Sequence, residues 1–255
     1  DSRLLIFGLE SIESPHRRLD VPSGALIAAQ LREAAMSKMG ETGPIPEILS
    51  GHKPDNSASE SPHCAFFPLP FVGHSYADGH LIGIAMAFPA ACPTEVRRQI
   101  AKSMSSIDAL QFKYLGNWKL LKGPDKPDVW TLHDRTWCAS STGSRNWATV
   151  TPIAFDAHAK SKNFEKQLNE VAEMVSRACE RIGLPAPATV RISAVSTHIG
   201  APTTSEFPRL ARKDGSLRRQ AHAFLTFSEP VRGPILLGAG RYRGYGLCRP
   251  YAEKQ

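Results

Sequence analysis

Histidine is the side chain that trades protons near neutral pH, and this chain holds nine of them. His52 lies in Ser50-Gly51-His52-Lys53-Pro54, on a loop after the first expected helix, and His63 closes the same loop. Two imidazoles so placed can serve one reaction as base and acid, and Lys53 can offset developing negative charge. The competing readings are a solvated loop histidine for His52 and a sheet-edge cap for His63. A second chemistry-bearing stretch comes near the end, Gly233-Pro-Ile-Leu-Leu-Gly-Ala-Gly-Arg-Tyr-Arg-Gly-Tyr-Gly-Leu-Cys-Arg-Pro250. There Gly238, Gly240, Gly244 and Gly246 bracket Arg241, Tyr242, Arg243 and Tyr245. Glycine lets a backbone come close to a ligand, arginine forks suit phosphate, and tyrosine faces suit unstacked bases. A glycine-rich turn before a last strand, with solvated arginines, is the alternative. No Rossmann fingerprint is present, since no strand-loop-helix unit with a ribose-binding acid follows.

The remaining candidates carry less. His74, Asp78 and His80 cluster near an expected hairpin turn, but their spacing matches no zinc pattern, and a polar turn is the simpler reading. His16 with Arg17 and Arg18 reads as a turn after the first strand, while His133, His158, His198 and His222 have no informative neighbours. Arg145 and Trp147 can meet RNA by charge and stacking, although Trp147 reads better as a core anchor. Arg209, Arg212, Lys213, Arg218 and Arg219 form a basic insertion suited to gripping phosphates, or else a solvated charged loop.

Charge placement favours a polyanion partner. The 255 residues carry 31 Lys and Arg against 24 Asp and Glu, a net charge of +7. Between Arg209 and Arg249 nine basic residues face only Asp214 and Glu229, so this one segment carries an excess equal to that of the whole chain. Basic charge gathered in one segment is what a nucleic-acid face needs. The five cysteines are scattered, odd in number and never form C-x-x-C, which argues against a disulfide framework and a cysteine-rich zinc site. A reducing cytoplasm fits that usage. No apolar run is long enough to span a bilayer, and no signal-peptide pattern opens the chain. The opening residue is Asp1 rather than Met, from which we expect either an excised domain or a processed chain, with something missing upstream.

Two similar halves must position these groups. In the first, Arg3–Glu10 reads as a buried strand, and Ser23 as the cap of a helix running to Met39 with Ile27, Leu31, Ala35 and Met39 on its apolar side. Residues 40–62 read as a long loop, His63–Val72 and Leu81–Phe88 as strands, a helix starts at Thr94, and Phe112–Leu121 is a strand. That order, β-α-β-β-α-β, is ferredoxin-like. The second half repeats it. Trp147–Phe155 is a strand, and Asn163 precedes an amphipathic helix whose stripe runs Phe164, Leu168, Val171, Val175, Cys179, Ile182. Thr189–Thr197 and Ala221–Phe227 are strands, then the glycine-rich segment leads to a last strand near Leu247, with the second helix reduced or absent. The fold expected is α+β, with tandem ferredoxin-like (RRM-like) modules at 1–124 and 125–255.

These features together resemble the RAMP superfamily, the repeat-associated RNA-binding proteins of CRISPR systems. Gly238–Gly246 (GAGRYRGYG) is similar to that superfamily's C-terminal glycine-rich loop. Leu49–His52 (LSGH), Pro68–Pro89, Trp147–Ile153 (WATVTPI) and Gly233–Pro250 together resemble the repeat-processing half of the fused subunit of type I-U (I-G) effector complexes. The resemblance implies metal-independent cleavage of CRISPR repeat RNA. The 2′-OH beside the scissile phosphate attacks in line, giving a 2′,3′-cyclic phosphate and a 5′-OH, and the protein stays bound to the guide RNA. It implies no cofactor and no metal. In this superfamily the catalytic histidine lies in or just after the first helix, which makes His52 the first candidate and His63 the second, with Lys53 as charge stabiliser. RNA contacts fall to Gly238, Gly240, Arg241, Tyr242, Arg243 and Gly244, with Arg145, Arg218 and Arg219 beside them. The partners implied are repeat RNA and other effector subunits, with no membrane. A non-catalytic guide-RNA scaffold of the same superfamily is the rival reading, and an unrelated ferredoxin-like enzyme binding a small phosphate is a third.

Overall fold

The computed structural model describes residues 3–251, which divide into two compact units. One comprises the chain up to Pro70 together with His80–His133. The other comprises Phe71–Gly79 and the chain from Asp134 onward.

In the first unit the strands are β1 (Leu4–Ser11), β2 (Ala65–Pro70), β3 (Leu81–Ala87), β4 (Ala109–Phe112) and β5 (Gly116–Leu121). All adjacent pairs run antiparallel, in the order β2-β3-β1-β5-β4. Helices α1 (Gly24–Gly40) and α3 (Thr94–Ser105) cross between them, with a one-turn α2 (Glu47–Ser50) following α1. Helix α1 buries Ile27, Ala28, Leu31, Ala35 and Met39, the side expected from their spacing. Its start differs from expectation. Asp20, not Ser23, accepts the capping bond, because Val21–Ser23 first forms a 3-10 turn and Ser23 makes no side-chain cap. The run 112–121 is not one strand but a hairpin: Phe112 pairs with Gly116, and Gly116 sits at φ +77°, where the chain reverses.

The second unit opens with the short helix α4 (Arg135–Cys138). It continues through β6 (Ser144–Thr149), β7 (Ile153–Ala154), α5 (Phe164–Arg181), β8 (Thr189–Ser193), β9 (Gln220–Val231) and β10 (Cys248–Pro250). Strand β6 lies between β10 and β9, and β8 pairs with β9, so the module's four strands order as 4-1-3-2. The first unit shows the same order, read as 2-3-1-4. Tandem ferredoxin-like modules are therefore the architecture. Between β9 and β10 a 3-10 turn at Arg241–Arg243 stands where a second crossover helix would be. Helix α5 packs Val175, Ala178 and Cys179 against Trp147, Ala223, Leu225 and Phe227. The expected apolar stripe holds from Val171 onward, but Phe164, in the first turn, is 74% exposed.

Cysteines behave as small apolar side chains here: Cys64, Cys92, Cys179 and Cys248 are buried and Cys138 is half-buried, all as free thiols. Burial pushes the thiols of Cys64 and Cys179 up to about 12. No helix is long and apolar enough to cross a membrane among the described residues.

Two buried histidines, His198 and His222, sit in the second unit. Burial, reinforced by the nearby Arg249 guanidinium, pushes His198 down from 6.5 to about 4, and burial also lowers His222. Both stay neutral in the fold while the unfolded chain protonates them as pH falls through about 6.5. Stability is thus fully present above that pH and declines from about 6.5 towards 4, His198 costing up to about 3 kcal/mol. Urea titrations across this window should show the unfolding midpoint dropping, and His198→Asn should flatten the drop.

Candidate nucleic-acid interface

The histidine site grows from the turn after α1. Pro46, extended at ψ 141°, starts α2, and Gly51 ends it in the left-handed region at φ 71°, its N–H donating to Glu47 O at 2.8 Å. The imidazole of His63 lies directly on Gly51, where an added Cβ would fall 2.8 Å from Nε2. Glycine is thus required here for both backbone and space. The structure therefore seats the His63 ring against Gly51, the residue before His52.

The turn is pinned throughout, and is not the loose loop its composition suggests. Ser59 N donates to Gly51 O at 2.9 Å, Cys64 N to Ile48 O at 2.8 Å, and Lys53 N to Ser57 O at 2.9 Å. Ser59 Oγ donates to Glu47 Oε1 at 2.5 Å, and the Asp55 carboxylate accepts from Ser57 N and Oγ, which holds its pKa below the ordinary range. His52 is exposed, its Nδ1 3.0 Å from Ser50 O. A carbonyl can only accept, so Nδ1 carries the proton in the neutral ring and Nε2 is left as a base. Arg32 donates to the same carbonyl from α1 and fixes it in place. His63 is half-buried, with Nδ1 3.4 Å from Ser61 O, and Lys53 is exposed. Among the described residues no three His, Cys, Asp or Glu side chains gather as a metal-ligand set.

The glycine-rich segment is folded tightly onto β7 and its neighbours. Thr151 Oγ1 donates to Gly244 O at 2.7 Å and accepts from Leu247 N at 3.0 Å. Gly246 N reaches Pro152 O and Ala239 N reaches Ala154 O, each at 2.9 Å. A Cβ on Gly238 would strike Ala154 O, and one on Gly240 would fall 2.6 Å from the Tyr245 ring. Tyr245 is buried edge-on against Phe207, and its hydroxyl donates to Pro208 O at 3.1 Å. These glycines serve close packing within the protein; of the side chains between them Arg243 is exposed, and Arg241 and Tyr242 are half-buried. The Arg241 guanidinium lies 4.4 Å from the Tyr242 ring centre, donates to its hydroxyl at 3.1 Å and donates to Gly238 O at 3.3 Å.

The other arginines differ in availability. Arg218 is drawn inward, donating to Phe155 O at 3.0 Å with Asp156 at 3.6 Å. Arg219 is exposed, while its carbonyl accepts from Phe155 N. Arg145 makes a loose exposed pair with Glu229 at 3.7 Å. The basic insertion is a tight hairpin tip, with Ala211 bridged to Leu217 and Arg212 N donating to Ser216 O at 2.7 Å. Sequence reading missed Arg177 and Arg181, one turn apart on α5. They line a cavity of about 140 Å³ with Asp156 and Gly238, at the root of the glycine-rich segment. Their i, i+4 spacing at the helix end was the available signal. Arg181 is paired with Asp156 at 2.8 Å.

Two ferredoxin-like modules, the second closed by a glycine-arginine-tyrosine segment in place of its last helix, define the class of protein. The family follows from the match of residues 3–250 to the model of the CRISPR-associated protein, GSU0054 family: the chain belongs to it. A solved structure titled "Csf5, CRISPR-Cas type IV Cas6 crRNA endonuclease" is similar over 98% of both chains, at 16% identity and a TM-score of 0.41. A likeness that distant transfers no residue role. No curated protein matches the chain.

Removing the Thr151 hydroxyl should loosen the whole segment. Thr151→Val leaves Leu247 N and Gly244 O buried without their partner, at a cost of about 2–3 kcal/mol. Calorimetry should show a Tm lowered by several degrees, and hydrogen exchange should show faster exchange at Leu247.

Proposed function

We propose that the chain is a metal-independent endoribonuclease that cuts CRISPR repeat RNA and holds the product. The observation that carries this reading is the exposed His52, whose Nδ1 lies against Ser50 O, an arrangement that suits the Nδ1–H tautomer and leaves Nε2 as the accepting ring nitrogen. Membership of a CRISPR-associated family supplies the context. In the proposed reaction His52 Nε2 takes the proton of the ribose 2′-OH, whose oxygen attacks the adjacent phosphorus in line. The P–O5′ bond breaks, His63 protonates the departing 5′-oxygen, and Lys53 offsets the charge gathered on the phosphorane. The products are a 2′,3′-cyclic phosphate and a 5′-OH. Arg241, Tyr242 and Arg243 then hold the RNA backbone, with Arg145, Arg218 and Arg219 extending the basic surface. We further propose that the chain is the repeat-processing half of a fused type I-U/I-G effector subunit, working in the cytoplasm beside other effector subunits.

Incubation with repeat RNA in EDTA tests the chemistry: cleavage to a cyclic phosphate is expected, and a 2′-deoxy nucleotide at the cut site should abolish it. His52→Ala should lose cleavage while filter binding stays unchanged. Tight binding without any cleavage by the wild type would instead favour a guide-RNA scaffold. Arg241→Ala should weaken binding and reduce the slope of log K against log salt by about one.

A further inference from the structure

Strand β8 alternates strictly. Val190 and Ile192 turn towards the α5 core, while Thr189, Arg191 and Ser193 are exposed on the opposite face of the strand. Arg191 stands opposite Phe224 of β9, and its guanidinium carbon lies 4.5 Å from the centre of that ring. Tyr251 meets the same ring edge-on at 5.3 Å and 78°, so Phe224 is only 6% exposed. The arginine is thereby seated on an aromatic ring while remaining an exposed residue. Beside it lies a cavity of about 360 Å³ whose wall includes Arg191, Ser193, Val195, Ser196, Thr197 and Phe224. Among the described residues the lining contains a cation and hydroxyls but no acid.

The cavity is built on rigid parts. Ser196 Oγ donates to Thr149 O at 2.6 Å and accepts from His198 N at 3.1 Å. His222, at the floor, is bonded at both ring nitrogens, to Thr149 Oγ1 at 2.9 Å and Pro202 O at 2.8 Å. Ser193 Oγ accepts from Val195 N at 3.0 Å and keeps its proton to donate. A planar cation presented for stacking beside hydroxyl groups suits a nucleobase with its sugar-phosphate edge. The volume is that of a small-ligand site, typically about 300–1,000 Å³. A docking peptide strand would want apolar side-chain pockets, and Val195 is the one exposed aliphatic residue of this lining.

We propose that this pocket takes one unpaired nucleotide of bound RNA, its base stacked on the Arg191 guanidinium and its polar edge on Ser193 and Thr197. The proposal rests on the RNA-binding reading above and adds a single-strand site on a sheet face separate from the glycine-rich segment. Two probes separate the possibilities: a short oligouridylate, and a blunt hairpin RNA with no unpaired ends. Arg191→Ala should weaken oligouridylate binding about tenfold and leave the hairpin unaffected. Arg191→Lys keeps the charge without the plane and should lose most of the same affinity. Arg191 is exposed, so both variants should melt like the wild type. The proposal is overturned if Arg191→Ala binds oligouridylate normally, if both probes weaken equally, or if Arg191→Lys restores binding in full. With wild-type RNA binding intact, those outcomes sink the pocket alone, and normal binding by Arg191→Ala would turn the search to a protein segment as occupant. A wild type that binds neither RNA would overturn the RNA reading itself.

Discussion

The second module depends on a break in its first strand. Between β6 and β7 the residues Val150, Thr151 and Pro152 leave the ladder, and the groups they free are the ones that receive the returning chain. Val150 N meets Leu247 O at 2.6 Å, Thr151 Oγ1 serves both Gly244 and Leu247, and Pro152 O takes Gly246 N. Cys248 can then pair with Thr149 and complete the sheet. A continuous strand would have spent those groups on a neighbour. Two of the glycines follow from this constraint, since a chain drawn so close to another backbone has no room for Cβ atoms at Gly238 or Gly246. What remains outside is the short Arg241–Arg243 turn, held rigidly enough to keep an arginine stacked on a tyrosine.

The two modules use the same strand order to opposite ends. In the first, the link from α1 to β2 is elaborated into a pinned turn that displays imidazoles. In the second, the corresponding helix-to-strand link, residues 182–188, is short, and the elaboration falls between β8 and β9 and between β9 and β10, where the arginines lie. The arginines and the His52 and His63 imidazoles are thus sorted by connection while the sheets stay alike. Such sorting suits a fold whose strands must keep their core-facing residues and whose loops are left to vary.

Much of this architecture was legible because apolar spacing speaks plainly in α1 and α5. Ile27, Leu31, Ala35 and Met39 mark one helix side, and Val171, Val175 and Cys179 mark another. Strand breaks were less legible. Phe112–Leu121 and Trp147–Phe155 look continuous in hydropathy, and only backbone reversal at Gly116 or donor demand from Leu247 divides them. At the candidate site, residue types singled out His52 and His63, yet nothing in the sequence shows that Gly51 lets His63 lie beside the His52 turn. The glycine-rich segment drew notice for its composition. Its glycines answer to Ala154, distant along the chain, and to Tyr245 and Leu237 within the segment's own fold, none of which composition reveals. Arg191 escaped notice for the same reason, since its meaning comes from Phe224 across the ladder.

The buried thiols carry a practical consequence. With Cys64, Cys92, Cys179 and Cys248 shut inside and Cys64 and Cys179 pushed up to about 12, almost none of their sulfur is present as thiolate at neutral pH. The protein is therefore built to ignore oxidants and alkylating reagents that attack exposed cysteines. A cysteine introduced on the surface would compete for label chiefly with half-buried Cys138. The native chain is close to a ready scaffold for attaching spectroscopic reporters at chosen points.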